Sequence, residues 1–205
     1  MTKKFLIIFL TTFNMFAVQA QRTMRDVWLS VPNQQFPYLT EKMRMNMLEN
    51  VENNSKEPTT DMFGSSCKLE KITDSYLCGL MGKSTKLEMK IFQSDKGDTL
   101  LCVVKTLMSD VSESKVQICS IDWLQIKELS PKRDVSLFVV DTLSGDSREK
   151  VDKLLFPLMV TVKLSEDTSI AVEEVSLPFM SKEEKTWLKP LLVTRQRRLS
   201  ELVDE

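Results

Sequence analysis

This sequence predicts an α+β fold, a mainly antiparallel β-meander packed against a few amphipathic helices. Three observations predict it. Between Cys67 and Asp122 the chain breaks into short alternating runs separated by turn residues, as sequential antiparallel strands do. Ahead of them, Leu39, Met43, Met47 and Val51 recur at spacing four, which is one face of a helix. Behind them come two more short strands and a capping-box sequence. The length of 205 residues and the apolar content of 42% suit a single domain with a sizeable core.

The elements follow in order. Residues 1–20 read as a signal peptide. Lys3 and Lys4 are its basic start, Phe5 to Val18 its apolar run, and Val18-Gln19-Ala20 its small-residue cleavage site. The run spans 14 residues, short of the roughly 20 that cross a bilayer. Residues 21–205 are expected to form the globular domain, exported and soluble after cleavage near Ala20, with no transmembrane segment. Thr23 to Leu29 has helical character and is stopped by Pro32 and Asn33. Thr40 caps the stronger Met-rich helix, whose apolar stripe is expected to pack on the protein's own sheet. Residues 52–66 read as a polar connector.

Five strands are expected next. Cys67 to Ile72 and Tyr76 to Met81 flank the turn Thr73-Asp74-Ser75. Leu87, Met89 and Ile91 alternate with Glu88 and Lys90, the pattern of a half-buried strand. Leu100 to Leu107 is the most apolar, and a run around Val116 to Ile121 closes the set before Trp123. Trp123 reads either as lining a binding surface or, the commoner fate of a lone Trp beside a strand, as closing one end of the core. Leu137 to Val140 reads as a strand or part of a buried helix. Ser147 is expected to cap a helix with Val151, Leu154 and Leu155 on its inner face, stopped by Pro157. Leu158 to Leu164 and Ser169 to Val175 form a hairpin. Ser181 and Glu184 form a capping box. Leu191 to Arg195 is expected as the last strand, and the segment from Arg195 to Glu205 as a frayed end.

The four cysteines, Cys67, Cys78, Cys102 and Cys119, lack zinc-site spacing. An exported location permits disulfides. If the fourth and fifth strands turn between Asp110 and Val111, Cys102 faces Cys119 directly and the two can bond. Cys67 and Cys78 miss opposition by a residue or two and read as small buried hydrophobes.

Composition removes several function classes. The chain has no histidine, which excludes a Ser-His-Asp triad, a Cys-His pair and a zincin site within it. Net charge is −1, and losing Lys3 and Lys4 with the leader takes it to −3, so no overall positive footprint for nucleic acid exists. The cluster Arg195, Arg197 and Arg198 is followed by Glu201, Asp204 and Glu205 and reads as a solvated tail or edge strand. Glu173 and Glu174 are adjacent in a strand and point to opposite faces. Glu183 and Glu184 sit in a first helical turn, where the dipole favours acids. The loop Ser94 to Asp98 lacks a closing Glu for calcium, and Leu77 stands where a phosphate loop before Gly82-Lys83-Ser84 needs Gly. The sequence therefore assigns no catalytic residue, no metal ligand and no cofactor.

Met24 to Pro32, Phe36 to Thr40, Lys86 to Lys90, Cys102 to Thr106 and Ser120 to Trp123 together resemble an uncharacterised family of exported proteins from Bacteroidales-type bacteria, the domain of unknown function DUF3256. The likeness covers nearly the whole chain after the leader. The family tends to carry a Tyr-Asp pair before the Trp. Ile121-Asp122 stands there in this chain, so no role for that tyrosine transfers. The expected function is an exported, periplasmic or secreted, non-catalytic binding or structural protein of the cell envelope. Its expected partner is an envelope protein or a small apolar ligand. The alternatives are a periplasmic carrier of a lipid-like ligand, marked by an apolar cavity between the Met43–Met47 helix and the sheet, and a carboxylate-based glycan hydrolase.

Overall fold

A computed structural model describes residues 22–177 and 180–204; the expected signal peptide lies outside the described residues. Helix α1 (Met24–Leu29) opens with a capping box between Thr23 and Asp26, and α2 (Glu41–Glu52) starts at the Thr40 hydroxyl, which accepts from the Met43 amide. Seven antiparallel strands then run side by side in chain order: β1 (Thr59–Thr60), β2 (Ser66–Ile72), β3 (Tyr76–Met81), β4 (Thr85–Gln93), β5 (Thr99–Leu107), β6 (Glu113–Ser120) and β7 (Gln125–Leu129). The meander is as the sequence predicts, with two additions. The polar connector contains the two-residue β1, and the segment after Trp123 continues the sheet as β7.

The close approach of β2 and β3 requires Gly79, since a Cβ there would lie 2.4 Å from the Lys68 carbonyl oxygen.

The second half of the chain builds on the sheet's other face. After a 3-10 turn at Val135–Phe138 come α3 (Gly145–Leu154), β8 (Val160–Leu164), β9 (Ile170–Val175), α4 (Lys182–Leu188), β10 (Arg195–Arg198) and α5 (Leu199–Asp204). Strands β8 to β10 form a separate antiparallel sheet in the order β10-β9-β8. Helix α3 begins at Ser144 rather than Ser147, and Val151 is its buried residue. The expected last strand is shifted toward the C-terminus, and the expected frayed end is ordered. Arg195–Arg198 pairs with β9, while Leu199 and Leu202 of α5 are buried.

Three apolar clusters result. Met24, Trp28, Met47 and Leu48 pack α1 and α2 on one face of the large sheet, against Leu77, Leu87, Met89 and Leu101. The Met stripe therefore meets the protein's own sheet, as expected. Cys102, Val104, Val116 and Ile118 on the opposite face meet Val162, Leu164 and Ala171 of the small sheet and Leu202 of α5. Phe138, Val151, Leu155, Leu158 and Leu188 form the third cluster, beside the small sheet. The large sheet is thus the middle of three layers.

That layering changes the reading of β4. Its alternation resembles a strand with one wet face, yet Glu88 and Lys90 are 3% and 5% exposed beneath the small sheet. The layers are held by polar links. Ser114 Oγ lies 2.6 Å from Thr106 Oγ1 and accepts from the Val162 amide of β8 at 2.8 Å. Lys90 Nζ donates to Ser75 Oγ at 3.2 Å and to the Glu166 carbonyl at the β8–β9 tip.

Trp123 closes one end of the first cluster, as the sequence suggests. It is 6% exposed, and its indole donates to the Val27 carbonyl at 3.0 Å. Its φ of +66° is left-handed and strained for a bulky residue, so burial and the indole bond must hold it there.

Candidate functional site

The interface beneath Met43 and Met47 is packed. Met47 and Leu48 are 1% and 0% exposed against the sheet, and the clefts that flank α2, one against β1 and one between its end and β2, are lined mainly by polar residues rather than as the expected apolar carrier cavity. An apolar cleft lies elsewhere, between the end of α3, the start of α4 and the β5–β6 turn.

The cleft grows out of a short sequence with conflicting demands. Pro157 stops the helical run, and α3 ends at Leu154. Leu155, Leu158 and Val160 then turn inward to the third cluster. Phe156 sits between them and is 85% exposed, joined to Pro157 by a cis peptide. Leu154, Phe156, Pro157 and Met159 make one wall, and Val111 and Met180 face them. The enclosed volume is about 350 Å³, at the small end of ligand pockets.

The polar groups at the rim already have partners. Ser176 Oγ accepts from the Ser112 amide at 3.0 Å, and the Ser176 amide donates to the Met159 carbonyl at 2.9 Å. The Glu184 carboxylate accepts from the Ser181 amide at 2.8 Å, which holds its pKa below the ordinary carboxylate value. Lys153 is paired with Glu149 at 2.5 Å. This arrangement shelters an apolar group behind a rim whose charged side chains are already paired or capping.

A second constellation lies between the sheets. The Glu88 carboxylate accepts from the Tyr76 hydroxyl at 3.0 Å and pairs with Lys86 at 3.3 Å. Burial, and then the Glu88 charge, push the Tyr76 phenol far above its usual value; burial likewise pushes up the Cys78 thiol beside it. Both groups are therefore held protonated. No signal in the sequence separates Glu88 from a solvent-facing acid, because the sheet that buries it is made some 70 or more residues later.

The acids considered for catalysis do not converge. Glu173 is buried and paired with Arg195 at 3.2 Å and Arg197 at 3.6 Å. Glu174 pairs with Lys163 at 2.6 Å, and Glu184 caps α4. The arginine cluster belongs to the edge strand β10, with Arg197 buried rather than solvated.

The structure does not bring Cys102 and Cys119 together. Cys102 stands opposite Ile118, and Cys119 opposite Leu101, one residue away from the register that would align the two thiols. Neighbouring positions on a strand point to opposite faces, so Cys102 lies in the second cluster and Cys119 in the first. All four cysteines are free thiols, and Cys67 and Cys78 face Met81 and Lys71.

The profile of a protein family described as a protein of unknown function (DUF3256) matches residues 15–200. The chain belongs to this family. A solved structure, a domain of an uncharacterized protein from Porphyromonas gingivalis W83, superposes with a TM-score of 0.67 at 16% identity. It covers 86% of this chain and 95% of that one. At that identity the likeness shows a shared fold. No curated protein matches the chain. Among the described residues, no helix is long and apolar enough to cross a membrane.

Proposed function

We propose that the protein is an exported, non-catalytic binding module of the cell envelope that shelters a small apolar group in the cleft beside Phe156. The observation that carries this reading is the cleft itself, about 350 Å³ with Leu154, Pro157 and Met159 along one wall and an 85% exposed ring at its edge. Its size suits one short acyl chain or one large apolar side chain. Export is supported by the basic, apolar and small-residue pattern of residues 1–20. The paired or capping state of Glu173, Glu174 and Glu184 favours binding over carboxylate chemistry.

Native mass spectrometry of the protein purified gently from its own envelope fraction tests this. A discrete small-molecule adduct is expected, and it should be lost when Met159→Trp fills the cleft. Protein that flies without an adduct, or an adduct that survives the substitution, overturns the assignment.

A further inference from the structure

The meander sorts its turns to two ends, and the ends differ in chemistry. One end carries the β2–β3, β4–β5 and β6–β7 turns, with Asp74, Asp95, Asp98 and Asp122 exposed, Lys96 and the Arg22 that pairs with Asp122 as the cations beside them, and Leu124 and Ile126 as its exposed apolar side chains. The β8–β9 tip reaches over Ser75 and Lys90 at this end and adds the exposed Asp167. The opposite end carries the β1–β2, β3–β4 and β5–β6 turns. There Asp61 is buried, its carboxylate accepting from the Phe63 and Ser65 amides, and Asp110 is the exposed acid of these turns. What this end presents to solvent is apolar: Met62 at 62%, Phe63 at 81% and Leu107 at 54% exposure, with Phe156 at 85% beside Val111 of the β5–β6 turn. Lys83 is exposed on the turn between Phe63 and Leu107.

We infer that this apolar end is a docking surface for a membrane, seating its side chains at the boundary between lipid headgroups and acyl chains. Two features select a lipid surface over a folded partner. The side chains stand out on separate segments, Met62 and Phe63 on the β1–β2 turn, Leu107 at the end of β5 and Phe156 after α3, and β2 and β5 are three strand spacings apart, about 14 Å. A rigid partner would need a matching pocket for each, whereas a bilayer accepts protruding rings wherever they fall. The charges are also arranged for one approach. Strand β4 has nine residues and spans about 30 Å, so docking apolar end first holds the acidic end several Debye lengths from an anionic leaflet. Lys83 and Asp110 then both lie at the surface, so the docking end itself is near neutral while the acids of the far end are kept away.

The inference stands independently of what the cleft holds, because Met62, Phe63 and Leu107 lie outside the cleft. It is tested by flotation of the purified protein with vesicles of phosphatidylethanolamine and phosphatidylglycerol. The N-terminus is left as the cell leaves it and is therefore common to all variants. The wild type is expected to float with the vesicles. Phe63→Ser combined with Leu107→Ser should lower the partition coefficient at least tenfold. Leu124→Ser with Ile126→Ser changes two residues of comparable exposure, 72% and 54% against 81% and 54%, at the acidic end and should leave partition within twofold. All four positions are exposed, so each variant should melt as the wild type does. The inference is overturned if the wild type stays with the soluble fraction, or if both pairs lower partition equally. It is also overturned if the apolar end instead pairs two copies, seen as a dimer that Phe63→Ser disperses without any flotation.

Discussion

Removing the Ser114 hydroxyl should loosen the docking of the small sheet on the large one. Ser114 is 4% exposed, Thr106 7% and Val162 2%, so no water stands ready to replace a lost partner. Its hydroxyl is 2.6 Å from Thr106 Oγ1 and accepts the Val162 amide at 2.8 Å. Ser114→Ala removes one hydroxyl–hydroxyl bond, about 1 kcal/mol, and leaves the Val162 N–H buried without a partner, about 1–3 kcal/mol. The expected loss is therefore about 2–4 kcal/mol, and a methyl-sized change leaves almost no cavity to add to it. For a chain of this size the melting temperature should fall by roughly 4–16 °C. Urea denaturation should show a lower midpoint with an unchanged slope, the mark of altered stability rather than altered compactness. Hydrogen exchange should show the Val162 amide opening faster, while amides of β3 and β4 lose only what global destabilisation takes from them. A change below about 0.5 kcal/mol, or equal acceleration everywhere with no excess at Val162, would refute the idea that this hydroxyl joins the layers.

Four other outcomes are expected. Trp123→Ala should cost about 3–5 kcal/mol in denaturant titration, because it empties a buried site and removes the indole bond that ties the β6–β7 turn to Val27. Stability should hold up to about pH 8 and decline above it. The buried thiols and the Tyr76 phenol stay protonated when folded, whereas they ionise in the unfolded chain from their model values of 9.0 and 10.0. Tyr76→Phe should flatten the part of that decline above pH 10, at a neutral-pH cost of about 1 kcal/mol for the lost bond to Glu88; an unchanged alkaline slope would count against it. Peptide mapping under non-reducing conditions should find all four thiols alkylated after unfolding, and native alkylation should touch Cys78, the half-buried one, before Cys67, Cys102 and Cys119; any linked pair contradicts this.

Local signals were readable where one element decided its own form. The Thr40 cap, the capping box of Ser181 and Glu184, and the alternation of β4 each act within a few residues. Elements that depend on distant partners were not. Strand β7, Gln-Ile-Lys-Glu-Leu, is an edge strand with little burial to pattern it, and it follows a Trp in a left-handed conformation. Helix α5 is a six-residue segment whose Leu199 and Leu202 gain meaning only in the cluster between the two sheets. The burial of Glu88 and Lys90 follows from the small sheet, not from β4. The cleft was half visible: Pro157 announces the end of α3, but Val111 and Met180 arrive from opposite directions in the chain. The cysteine pairing failed on a single residue of turn length, the smallest error a hairpin allows.

That single residue also governs how the chain must reach its fold. With β5 and β6 in register, Cys102 and Cys119 are separated by the thickness of the sheet itself. Slipped by one position, they meet, and every side chain of the slipped strand changes face. An oxidant acting on the slipped hairpin would weld it there, since a disulfide formed early cannot be reconciled with the correct pairing later. Under the export proposed above, zipping the hairpin is a race against oxidation. Cys119→Ser would take away the trap and leave the destination unchanged.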